Sequence, residues 1–166
     1  MEEQTVPQPE PATLGYPPEK QDLTPWSEAE AVLVERKTYW LATVRPDGPP
    51  HVMPVWGVWM AGRFFFSTSP ASRKGKNIAR NPRCTISLSG RGLDLVLEGT
   101  ASLVTEDETA TKVAALYGPK YDWPVTVRDR GIYGENGDGG PLYAVTPETA
   151  FAFGLIDGFS ATRWRF

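Results

Sequence analysis

The residues best suited to chemistry lie between Ser67 and Pro82, where the chain reads STSPASRKGKNIARNP. Ser67, Thr68, Ser69 and Ser72 supply hydroxyls, and Arg73, Lys74 and Lys76 follow at the start of a segment with helical character. Cations at a helix N-terminus run against the dipole, which prefers negative charge there. An anion seated at that end removes the conflict, held by free backbone N–H groups and by the Arg and Lys heads. Phosphate is the natural candidate. A solvated basic face with ordinary turn residues fits the same pattern, and residue types alone leave both readings open.

Other reactive groups are sparse. His51 is the single histidine, and no Gly-x-Ser-x-Gly, His-Glu-x-x-His or paired-Cys spacing occurs, so neither a catalytic residue nor a metal ligand is assigned. His51 follows Pro50 at the start of a strand-like run and reads as a turn or edge residue, with proton donation as the minor alternative. Cys84 falls in the alternating run Cys84 to Leu88 and reads as a small core residue. Asp129 and Asp157 have no carboxylate at a telling spacing and are given no chemistry. Trp56 and Trp59 are three residues apart on one strand-like run and should face opposite sides, one in the core and the other at an interface or ring pocket. The cluster Arg73, Lys74, Lys76, Arg80 and Arg83 could serve nucleic acid, but no stacking aromatics interleave with it and the net charge is −3.

These residues need elements to place them. The chain has 166 residues, 40% hydrophobic and 22% charged, which suits one folded domain with a sizeable core. Pro7, Pro9, Pro11, Pro17, Pro18 and Pro25 crowd residues 1–25, which are expected to be disordered or an extended arm outside a domain spanning 26–166. A helix to about Arg36 should open at Trp26, with Ser27 and Glu30 as a capping box. Runs at Thr38 to Arg45, His51 to Met60 and Arg63 to Thr68 read as an antiparallel β-meander. Pro82 ends the basic helix. Strands follow at Cys84 to Leu88 and Leu93 to Val104, the second carrying Gly99 as the mark of a bulge. Thr105 and Glu108 should cap a structural helix buried through Ala110, Val113, Ala114 and Tyr117 and stopped at Gly118-Pro119. Residues 121–140 read as a loop with local helix around Val127, and Leu142 to Val145, Phe151 to Gly154 and Thr162 to Phe166 read as final strands. The expected fold is mainly β (α+β), a small antiparallel barrel with a few short helices. No apolar h-region and no bilayer-length apolar run is visible, so a cytoplasmic protein without membrane or nucleic-acid partners is expected.

The order WLATV, DGPPHVMPVW, FFFSTSPASRKGKNIARNPR and LVLEGTASLV resembles the pyridoxamine 5′-phosphate oxidase-like family, the FMN-binding split β-barrels, over roughly residues 26–166. Phe151 to Gly154 and Ala161 to Phe166 are similar to the branch that uses the deazaflavin coenzyme F-420 as often as FMN. The resemblance implies a cofactor phosphate held by Ser67, Thr68, Ser69, Lys74 and Lys76 with Asn77 nearby. It places the ring along Met53, Pro54, Val55 and Trp56. It also implies a homodimer with the cofactor at the interface, to which Arg163, Trp164 and Arg165 would reach from the partner chain. The implied activity is hydride transfer between a deazaflavin (F-420, with FMN as the alternative) and a small organic substrate, the cofactor carrying the redox chemistry. A non-catalytic carrier of flavin, deazaflavin or haem is the second reading, its haem version weakened by the lone His51. A barrel that has lost its ligand is the third, opposed by the retained hydroxyl-and-lysine cluster.

Overall fold

A computed structural model describes residues 6–13, 22–154 and 160–166 of the chain. Residues 1–5 and 14–21 of the proline-rich tail, and Asp157, lie outside the described residues. The elements in order are β1 (Glu10–Pro11), α1 (Trp26–Glu35), β2 (Tyr39–Val44), β3 (Pro50–Val55), β4 (Val58–Met60), β5 (Arg63–Ser67), α2 (Arg73–Arg80), β6 (Arg83–Gly90), β7 (Leu93–Leu103), α3 (Asp107–Tyr121), β8 (Thr126–Arg128), β9 (Gly131–Tyr133), β10 (Gly139–Gly154) and β11 (Ser160–Arg165). All recorded strand pairings are antiparallel, and with three short helices this is the antiparallel barrel expected from the strand pattern, of the split type that the family resemblance implies.

The ring closes through one interrupted strand. β2 pairs with β3 and β6, β6 with β7, β7 with β10, β10 with β5, and β5 with β4, which resumes the path of β3 after Trp56-Gly57. The expected single run His51 to Met60 is therefore two strands. The break falls at Gly57, where a side chain would run into the Phe64 ring. Between β6 and β7, Arg91 (φ 52°) and Gly92 (φ 74°) make a two-residue hairpin turn of the kind that matches strand twist.

Alternation along β5 explains how one strand serves two cores. Phe64 and Phe66 enter the barrel with Tyr39, Leu41, Ile86, Leu97 and Trp164, while Phe65 turns outward under α3 to meet Val113, Tyr117, Ile132 and Leu142. All three phenylalanines are fully buried. Each contributes on the order of 1.5–3 kcal/mol from burial.

Several local expectations are corrected. Leu142 to Val145 and Phe151 to Gly154 belong to one 16-residue strand, β10, whose register shifts between Pro147 and Thr149. Gly99 stands opposite that bulge, against the Thr146 carbonyl, where no Cβ fits. The region around Val127 is a hairpin strand, not helix, because β9 finds pairing partners on both β8 and β10. α1 opens at Pro25 without a side-chain cap; Glu30, expected in a capping box, accepts a hydrogen bond from Trp59 Nε1 at 2.8 Å. α3 begins after Glu106, and Thr105 Oγ1 donates to the Glu106 carboxylate at 2.6 Å. The helix then runs through Pro119 to Tyr121 and ends at left-handed Asp122 (φ 49°). A proline in the last turn forfeits one hydrogen bond without ending the helix.

At the chain's start, β1 adds to the free edge of β11, and Glu10 bonds Arg163 (2.7 Å) and Arg165 (2.9 Å). Those two guanidiniums hold the Glu10 carboxyl below its ordinary range. Among the described residues no helix is long and apolar enough to cross a membrane, and no cluster of side chains could hold a metal ion.

Candidate functional site

A cleft of about 600 Å³ lies where the end of β3, the end of β5, the start of α2, the end of α3 and the start of β10 converge. Its polar end is built from Ser67, Thr68, Ser69 and Lys74. β5 ends there because Ser67 Oγ donates to the Gly140 carbonyl (2.9 Å) and Thr68 N donates to the Pro141 carbonyl (3.3 Å), tying the turn to β10. Ser72 then caps α2, its Oγ accepting from Gly75 N at 3.0 Å and sharing a hydrogen bond with Thr68 Oγ1 at 3.1 Å. Gly75 lets this turn press against the helix: a Cβ there would stand 2.5 Å from the Ser69 carbonyl oxygen and 2.9 Å from Pro70 Cα. With Gly75 N taken by the cap and Lys76 N bonded to Ser72 O, the first-turn N–H groups of Arg73 and Lys74 remain for a ligand. The first turn of α2 holds no acidic residue, which suits an anion site.

The rest of the lining is mostly apolar and aromatic. Pro54, Val55 and Trp56 form one wall, and Tyr117 and Trp123 another. Trp56 is half exposed and stacks on Tyr121, centroids 4.5 Å apart and planes within 8°. Trp59, by contrast, is buried, so the two tryptophans divide between pocket and core, although the break at Trp56-Gly57 rather than strand alternation separates them. Tyr121 Oη both accepts from Gly57 N (2.7 Å) and donates to Gly57 O (2.8 Å), which pins the strand break and the Trp56 wall with it. Burial raises the Tyr121 phenol to about 12, so it keeps its proton. Lys74 and Asp138 are the charged side chains of the lining.

The expected site residues separate into two groups. Pro54, Val55, Trp56, Ser67, Thr68, Ser69 and Lys74 come together in the cleft. Met53 is an exposed neighbour on β3 outside the lining. Lys76 projects to solvent, since residues two apart on a helix face different sides. Asn77 is a correction: it is fully buried, its Nδ2 donating to Thr43 Oγ1 at 2.9 Å and its Oδ1 without a partner among the described residues, so it braces α2 on β2 and is not part of the cleft lining. Trp164 is a second correction. It is fully buried beside Trp26 (5.4 Å, 72°), and strand alternation that sends it inward sends Arg163 and Arg165 outward to Glu10. Cys84 is buried and its thiol is pushed up to about 12 by burial, then by Glu148, consistent with a packing role. His51 lies in β3 outside the cleft lining.

Tyr117, Tyr121, Trp123 and Asp138 join the site without a signal in the sequence that marks them for it. Tyr117 carried the helical apolar period and read as core alone. Tyr121 and Trp123 lay beyond the Gly118-Pro119 stop assigned to α3, so nothing aligned them with Tyr117.

Strand order and barrel closure define the class as a split β-barrel. The family model for pyridoxamine 5′-phosphate oxidase matches residues 26–141, and the chain belongs to that family. Among solved structures it is similar to an F-420 reductase (27% identity, 73% of this chain and 94% of that one, TM-score 0.56). It is also similar to HutZ, the haem storage protein of Vibrio cholerae (25% identity, 74% and 89%, TM-score 0.56). General Stress Protein 26 of Bacillus anthracis shares the fold (20% identity, 76% and 92%, TM-score 0.57). No curated protein matches the sequence.

Proposed function

We propose that the chain is an oxidoreductase that holds a phosphate-bearing flavin-type cofactor in this cleft, the deazaflavin F-420 or alternatively FMN, and moves a hydride between it and a small organic substrate. The observation that carries the reading is one cleft lined both by a hydroxyl-bearing helix N-terminus with Lys74 and by the apolar and aromatic side chains of Pro54, Val55, Trp56 and Trp123. Such a ring supplies two-electron redox chemistry when bound, so the protein needs to bind, orient and shield it. The groups for those tasks are present: backbone N–H groups and the Lys74 ammonium for phosphate, apolar side chains for ring faces, and a pinned Trp56 for orientation. The likeness to the F-420 reductase favours the deazaflavin.

A homodimer is part of the proposal. Trp40, Val44 and Val52 lie exposed on one face of β2 and β3, and Pro54, paired with Trp40 on that face, also lines the cleft, so a second copy on this face would border the ligand.

The second reading is a carrier without turnover, favoured by the likeness to HutZ. Its haem version has no histidine in the cleft lining to ligate iron.

Melting temperature measured against added ligand and protein concentration tests both parts. FMN or F-420 should raise it, a ligand that binds only the folded state being stabilising, and haemin should not; a midpoint rising with protein concentration supports the dimer. No shift with either flavin-type ligand rejects the cofactor, a shift with haemin alone favours the carrier, and a concentration-independent midpoint counts against the dimer.

A further inference from the structure

Tyr117 brings to the cleft a hydroxyl without a hydrogen-bond partner among the described residues. Tyr117 is only 3% exposed, yet it lines the cleft. Its ring is held on two sides, by Tyr121 (4.8 Å, 40°) and by Trp123 (6.1 Å, 61°). The neighbouring phenols are satisfied within the chain: Tyr39 Oη donates to the Leu33 or Arg36 carbonyl, and Tyr121 Oη is closed on Gly57. The Tyr117 hydroxyl has no hydrogen-bond partner among the described residues. The oxygen is not among the fully enclosed unpartnered polar atoms of the described residues, which are His51 Nδ1, Asn77 Oδ1 and Trp164 Nε1, so the phenol keeps an accessible opening although its ring is buried.

We infer that the Tyr117 hydroxyl donates a hydrogen bond to the bound ligand, reading a carbonyl oxygen or unprotonated nitrogen at the edge of a flat ring lying against the Trp56 and Trp123 walls. The residue is a specificity determinant as well as a contact, because a bound ring would close off the hydroxyl, and one without a matching acceptor would leave it unpaired. Burial first, and the neighbouring phenols Tyr121 and Tyr39 second, push the Tyr117 phenol far above its ordinary range, so it stays protonated and serves as a donor throughout the neutral range. Its ring is presented by the last turns of α3, the same element whose Tyr121 fixes Trp56, so one helix sets both the wall and the donor.

The inference rests on the cleft being the site of a flavin-type ring, and the test separates the two. FMN and F-420 are titrated into the unaltered chain and Tyr117→Phe at neutral pH, with the melting temperature of each protein taken without ligand. Tyr117→Phe keeps the ring packing, so its ligand-free melting temperature should be unchanged or higher, while affinity for the ligand that binds falls about 10-fold. If the unaltered chain binds and Tyr117→Phe binds equally well, this inference alone fails. A clear loss of ligand-free stability or folding in Tyr117→Phe also overturns it, since the hydroxyl would then have a partner within the protein. If neither ligand binds the unaltered chain, the cofactor reading and this inference fall together.

Discussion

Lys120 shows how a single buried contact becomes a pH dependence. Its Nζ donates to Tyr39 Oη at 2.7 Å and lies 5.0 Å from the Tyr39 ring and 5.7 Å from the Tyr121 ring. Burial, with a smaller push from Lys37, brings its pKa down from 10.5 to about 8. Between those values the unfolded chain holds a proton that the folded chain has released, so this group makes stability rise with pH through the window. Cys84, raised by burial from 9.0, opposes the rise as pH passes 9.0, and the buried tyrosines oppose it from 10.0 upward, leaving pH 8 to 9 as the clean interval. Lys120→Met removes the dependence: the stability gap between variant and unaltered chain should shift against the variant from about pH 7 to about pH 9 in parallel urea titrations. A constant gap contradicts the assignment. At this scale the sequence was readable wherever type and spacing sufficed, as for Ser67 to Ser69 and Lys74. It was not readable where a side chain's direction depended on a partner distant in the chain. Asn77 sits in the same motif as Lys74 but points at Thr43, and Trp164 carries the family-like ending but is claimed by the barrel.

At the scale of elements, α2 is held close to the turn before it by the absence of a side chain at Gly75. Glycine inside an ordinary helix costs about 0.5–1 kcal/mol relative to alanine, so Gly75→Ala would normally stabilise. Here the added Cβ meets backbone on two sides, the Ser69 carbonyl oxygen at 2.5 Å and Pro70 Cα at 2.9 Å. The substitution should therefore lose about 1–3 kcal/mol by overpacking, lowering the thermal midpoint by about 2–4 °C per kcal/mol. It should also weaken ligand binding by moving Ser69. A stabilised Gly75→Ala protein would refute the tight turn. Strong local signals made α1, α2, β6 and β7 legible to within a residue or two. The elements misread were those set by long-range contacts: the β3–β4 break depends on Phe64 and Tyr121, and the β8–β9 hairpin depends on β10, none of them a local neighbour in the chain.

Across the whole molecule, the barrel brings β3, β5, α2 and the end of α3 to one opening although they are spread from Pro50 to Tyr121. A chain of net charge −3 thereby presents one cation, Lys74, beside free helix N–H groups. Fold class followed from the strand rhythm, and the phosphate end of the cleft from one motif. The aromatic part of the lining emerged only when closure of the ring set α3 over Trp56. The most direct test of a phosphate anchor is the dissociation constant of FMN for Lys74→Ala, with phosphate-free riboflavin as the control. Loss of a charge-assisted contact should weaken FMN by about 10- to 100-fold, leave riboflavin binding unchanged and leave the fold intact. FMN binding equal in the two proteins would contradict the anchor at Lys74 and with it the proposed orientation of the cofactor.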